Sequence, residues 1–241
     1  PQLVVPVDAA REERLRYGDW VQGNREAVEA AGSGRIGYLH LFAMGPNDMA
    51  AFVREFYGQY DRDGLIIDVR RNRGGNIDSW VIEKLLRRAW AFWQRPAGLP
   101  YSNMQQSFRG HLVVLVDPLT YSDGETFAAG VQRLGLGPLI GTRSAGAGVW
   151  LSDGNALVDR GRARVAEFPQ FGMDGSWLIE GVGVAPDIVV DNLPHASFNG
   201  DDAQLAAGID WLQRRLREAP VAPMRPRPIP PLNAPNGDGG S

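Results

Sequence analysis

The chain has 241 residues, 28 Asp and Glu against 25 Lys and Arg, and no cysteine, which excludes disulfides, thiolate metal sites and a cysteine nucleophile. A net charge of −3 without a long basic run argues against a nucleic-acid partner. No apolar stretch approaches the ~18–20 residues of a membrane span, no signal peptide is visible, and His40, His111 and His195 lack metal-site spacing, so no membrane contact, metal or cofactor is expected.

Residues 8–34 are polar and periodic. They predict one or two helices, broken or bent near Gly18, with Gly32 and Gly34 as the stop. GRIGYLHLF (34–42) reads as a strand, and 45–61 as a helix starting near Asn47 or Asp48. LIIDVR (65–70) is an apolar run of the kind buried parallel strands show. RNRGGN (71–76) is a tight glycine loop. A strong amphipathic helix is expected over 77–93, with Trp80, Ile82 and Leu85 in its apolar stripe and Lys84 on a solvated face.

LVVLVD (112–117) is a second buried strand, ended by Pro118, and 123–134 a helix. Residues 135–148 hold a short strand and a glycine-rich loop. From 149 to 190 come short strands and turns: NALVD, ARVAEFP, DIVV. A closing helix over 201–218 starts at Asp201 or Asp202. Residues 220–241 carry seven of the 17 prolines, so 219–241 is expected to be a disordered tail or linker. The start at Pro1, without methionine, fits an excised part of something longer.

Strands alternating with helices imply an α/β domain over 1–218: a mostly parallel sheet with helices on its faces, preceded by a helical region at 8–31. Right-handed crossovers put the carboxyl ends of the strands on one edge, where ligands gather. The loops after LIIDVR and LVVLVD then face one crevice, bringing Gly75 toward Ser122.

Ser122 lies in TYSDGETFAAG (120–130). Ser-x-x-Glu, with Glu125, is a capping box. It is also what a hydrolase shows at a strand-to-helix corner. As a nucleophile, Ser122 would stand in the positive field of a helix end. The N–H of Asp123 would be a first-turn donor without an intrahelical partner. Gly75 would offer a second N–H with no Cβ in the way. From the residues alone both readings stand: cap or nucleophile, plain turn or oxyanion loop. No base is evident. Lys84, the single lysine, is on a helix face; His40 near the end of the first strand reads as structural; His111 opens a strand at the opposite edge; His195 is in a late surface loop.

LIIDVRRNRGGN, TYSDGETFAAGVQRLGLGPLIGTRSAGAG and LIEGVGVAPDIVV together resemble, in order and separation, the serine peptidases of the tail-specific (C-terminal processing) and tricorn group, from about residue 10 to 218. The resemblance implies a ClpP/crotonase-like spiral. Tail-specific members carry a lysine where Ala147 stands; the tricorn branch uses a serine, a histidine, a second serine and a glutamate. On that pattern Ser122 would be the nucleophile, and Gly75 and Asp123 the oxyanion N–H donors. Glu180, ahead of Gly-Val-x-Pro-Asp, would orient the histidine through the second serine. The histidine and second serine would lie upstream of a PDZ-like region, ahead of this segment. The chain is then a carboxy-terminal catalytic subdomain, nearly inactive alone. The acidic residue that selects basic side chains maps near Trp93. Peptide substrates, a cytoplasmic location and a ring-like homo-oligomer are further implications. Two other readings remain open: a crotonase-like acyl-thioester enzyme using two backbone N–H groups, and a non-catalytic peptide-binding or assembly module in which Ser122 merely caps.

Overall fold

Five short apolar runs pair into one fully parallel sheet, because each can bury both of its faces. The computed structural model describes residues 5–152 and 156–229. In chain order the elements are α1 (Ala9–Gly32), β1 (Ile36–His40), α2 (Pro46–Tyr57), β2 (Gly64–Asp68), α3 (Asp78–Leu86), β3 (Phe92–Trp93), β4 (Tyr101–Ser102), β5 (His111–Val116), α4 (Asp123–Arg133), β6 (Leu139–Gly141), β7 (Trp150–Leu151), β8 (Ala166–Phe168), β9 (Ile188–Val189), α5 (Pro194–Phe198) and α6 (Ala203–Glu218). The central order is β1-β2-β5-β6-β9, every pairing parallel, as an α/β reading requires.

Side chains alternate across the pleat. Leu39, Leu65, Ile67, Val114 and Val116 meet Phe52 and Phe56 of α2, Val81 and Leu85 of α3, and Phe127 and Val131 of α4. Ile36, Tyr38, Ile66, Val113, Leu115 and Ile140 meet Val28 of α1 and Leu205, Ile209 and Leu212 of α6. Each fully buried Leu, Ile or Val contributes about 1.5–3 kcal/mol. The crossovers α2, α3 and α4 all lie on one face, and strand order follows sequence without reversal. That one-way progression is a spiral, and every post-strand loop falls on one edge. At the outer strand, Gln59 substitutes for a neighbour: its side chain accepts the Tyr38 N–H at 2.8 Å and donates to the Tyr38 carbonyl at 3.1 Å.

Several boundaries differ from expectation. α1 runs unbroken through Gly18, which faces open space, so a glycine there carries only its propensity penalty of about 1 kcal/mol. α2 starts earlier, at Pro46, because Asp48 reaches back to the Gly45 N–H at 3.1 Å. The helix expected over 77–93 ends at Leu86. Beyond it the chain pairs β3 with β4, and Trp90 and Trp93 are exposed. Trp80 is likewise exposed; Val81, Ile82 and Leu85 form the buried stripe. α5 was not anticipated. Within the expected strand at 155–159, Asn155 lies outside the described residues, and Ala156 makes only an isolated bridge to Arg162. In the tail, 230–241 lie outside the described residues. Residues 219–229 have no regular structure but are fastened to the body: the His111 ring bonds the Ala219 carbonyl, and Arg109 donates to the Ala222 carbonyl.

Candidate active site

The loops after β2, β5 and β6 converge at the carboxyl edge. Adjacent parallel pairing of β2 with β5 sets the first two side by side. Asn72, fully buried, joins them. Its side chain donates to the Leu41 carbonyl at 2.7 Å and accepts the Gly74 N–H at 2.9 Å. Its own carbonyl accepts the Tyr121 N–H at 3.0 Å.

Two glycines fit this junction for different reasons. A Cβ on Gly74, at φ +75°, would sit 2.6 Å from the Ser122 Cβ, so this backbone lies directly against the serine. Gly75, at φ +152°, pairs with Met44 as an isolated bridge, and a Cβ there would collide with the Met44 carbonyl. Among the described residues no hydrogen bond engages the N–H of Gly75 or of Asp123.

Ser122 precedes α4 with φ 53° and ψ −118°. A non-glycine residue in this region is strained by about 1–3 kcal/mol. The same sharp strand-to-helix turn exposes the hydroxyl in nucleophile elbows. The capping-box relation is kept through Glu125, whose carboxylate accepts the Ser122 N–H at 3.0 Å, while the Glu125 N–H goes to the Ser122 backbone carbonyl at 2.8 Å and the hydroxyl makes no cap hydrogen bond. The side chain is half-buried at the crevice.

The Asp123 carboxylate points inward. Its Oδ2 accepts the Ile77 and Asp78 N–H groups at 2.7 and 3.1 Å, capping α3 and tying the glycine loop to α4. Its Oδ1 is buried with no partner among the described residues. Burial, and then the neighbouring Asp78 carboxylate, push its pKa up to about 7.

Glu180 is exposed and held by one oxygen, which accepts the Gly148 and Val149 N–H groups at 3.0 Å each. The preceding residue, Ile179, has φ 66°, an outlier for a β-branched side chain. It packs where a Cβ on Gly148 would stand. Glu180 is thus fixed to the loop following β6. That loop is fixed in turn to Ser122, because Gly146 and Ala147 donate to the same Glu125 carboxylate that holds the Ser122 N–H.

None of the histidines reaches the site with a free nitrogen. His40 is buried, with Nδ1 bonded to the Tyr17 hydroxyl at 2.8 Å and Nε2 to the Arg70 carbonyl at 2.9 Å; burial lowers its pKa. His111 opens β5 at the opposite edge, and His195 lies exposed on α5. Lys84 pairs with Glu83 on α3. Trp93 is in β3, exposed. Sequence reasoning missed Asn72, the strain at Ile179 and the reach of Glu125 across to the loop after β6. Only the last had a signal, the Ser-x-x-Glu spacing.

Residues 35–190 match Peptidase family S41. The chain is 34% identical over 212 residues to the tricorn protease of Thermoplasma acidophilum, covering 88% of this chain and 20% of that protein. It is 36% identical over 221 residues to tricorn protease homolog 1 of Streptomyces coelicolor, covering 91% and 20%. The crystal structure of the tricorn protease superposes with a TM-score of 0.79 at 34% identity, over 84% of this chain and 20% of that one. This segment therefore spans about a fifth of the proteins it resembles.

Proposed function

Because the chain belongs to peptidase family S41, we propose that it carries the nucleophile of a tricorn-like serine peptidase that hydrolyses peptide bonds through an acyl-enzyme on Ser122. The observation that carries this reading is the strained φ of 53° at a serine whose hydroxyl makes no cap bond. Strain of this kind persists only where the surrounding structure over-determines it, and it clusters at active sites.

In the proposed reaction the Ser122 oxygen attacks the substrate carbonyl and gives its proton to a histidine on another part of the full-length protein. The Gly75 and Asp123 N–H groups receive the oxyanion; each such donor is worth about 3–4 kcal/mol of barrier. Glu180 presents its second carboxylate oxygen toward a serine that orients that histidine, as the third member does in triad logic. Collapse releases the amine, and water then cleaves the acyl-serine. The substrates are peptides in the cytoplasm, and the working form is a homo-oligomer.

Ser122→Ala in the full-length protein tests this. Peptide turnover should fall by several orders of magnitude, with about 10⁶ as the upper scale. Undiminished turnover would overturn the assignment, and tight acyl-CoA binding alongside it would favour the acyl-thioester alternative.

A further inference from the structure

Glu125 has no solvent exposure, and its four acceptor positions are filled by four donors. Oε1 takes the Ser144 hydroxyl and the Gly146 N–H, both at 2.6 Å; Oε2 takes the Ala147 N–H at 2.9 Å and the Ser122 N–H at 3.0 Å. A capping box needs only the last of these, and its carboxylate ordinarily sits in solvent. Here three donors come from a loop 19 to 22 residues further along the chain. Burying a carboxylate is expensive unless its hydrogen bonds are complete. Completeness here joins two particular segments. One is the strained turn that aims Ser122. The other is the 144–149 loop, whose next two N–H groups hold Glu180. Ser144 secures the loop from behind, since its oxygen accepts the Val184 N–H at 2.7 Å, just past Glu180.

We propose that Glu125 is a positioning residue: one buried carboxylate that holds Ser122 in its strained turn and fixes the Glu180-bearing segment relative to it. This rests on Ser122 being the nucleophile. With its N–H taken up by Glu125, Ser122 has no backbone donor to spare for the oxyanion, which on the proposed reading falls to Gly75 and Asp123. An amide cannot replace this carboxylate. On the Oε2 side its NH2 would face two backbone donors, Ser122 and Ala147; on the Oε1 side the Ser144 hydroxyl could turn to accept, but the Gly146 N–H would still be opposed. The turn and the loop would then part by a fraction of an ångström or more.

The test is Glu125→Gln in the full-length protein, assayed with a fluorogenic peptide beside a thermal unfolding curve. A folded variant should lose kcat by about a hundredfold, the scale of a 1 Å misplacement, with KM changed by less than about threefold. A folded variant with kcat within about threefold of the parent overturns the proposal, as does a loss carried by KM alone. If the variant does not fold, Ser144→Ala decides: it removes one Oε1 donor together with the acceptor of the Val184 N–H, and leaves Glu125 and the Ser122 bond in place. Its kcat should fall about tenfold at unchanged KM, one hydrogen bond to a charged group being worth roughly that; an unchanged kcat overturns the proposal. Hydrolysis that survives Ser122→Ala would instead remove the nucleophile reading, and the proposal with it.

Discussion

At residue 122 the backbone is asked to hold φ 53° without glycine and without a side-chain cap bond. Two substitutions separate strain from chemistry. Both Ser122→Ala and Ser122→Gly remove the hydroxyl, but only glycine relieves the backbone. Relief of about 1–3 kcal/mol, less the entropy a glycine adds to the unfolded chain, should leave Ser122→Gly about 1 kcal/mol more stable than Ser122→Ala in urea denaturation. Equal stability would mean that the turn is unstrained. Asp123 makes a second residue-scale prediction. Its folded pKa, about 7, lies above the ordinary aspartate value of 3.8. Its stabilising contribution is therefore complete below the unfolded pKa and lost as pH rises through about 7. Asparagine imitates the protonated carboxyl, accepting the α3 N–H groups and donating toward Asp78. Asp123→Asn should thus become more stable relative to the parent as pH rises from 4 to 8, measured by denaturation at each pH. A difference independent of pH would contradict the assignment.

Among the elements, the sheet and its helices were legible because continuous apolar runs of strand length and helix-cap residues are local signals. LIIDVR and LVVLVD each became a central strand. What sequence could not show was where tertiary contact overrides periodicity. α3 stops at Leu86, where Arg87 turns extended, although apolar residues continue to Trp93; Trp90, Phe92 and Trp93 remain exposed. α1 continues through Gly18 because nothing opposes it. Arg70 shows another limit. It reads as the end of an apolar run, yet it is buried against Asp68 at 2.7 Å and reaches Asp202 at 2.8 Å, pinning the start of α6 to β2. Arg70→Ala would leave Asp68 buried without its cation. It should cost about 3–5 kcal/mol, read as a lowered urea midpoint, whereas a loss under 1 kcal/mol would mean the pair is solvated.

Across the whole molecule, the spiral's one-way strand order sets the loops after β2, β5 and β6 on a single edge. Residues far apart in sequence, Gly74, Ser122, Ala147 and Glu180, are linked there through direct packing and a few hydrogen bonds. The sequence showed Ser122, Gly75, Asp123 and Glu180 as candidates through motif order, but not the Glu125 junction, because its donors lie in a loop no local rule pairs with it. With every described histidine committed elsewhere or remote from the crevice, the 241-residue chain alone should fold and yet hydrolyse peptides negligibly; robust turnover by it would reveal a base within the chain. The most direct check treats the full-length protein with a fluorophosphonate and maps the adduct by mass spectrometry. The adduct should sit on Ser122 and vanish in Ser122→Ala. A folded, peptide-cleaving protein that is labelled elsewhere, or not at all, would contradict the assignment of this serine as the nucleophile.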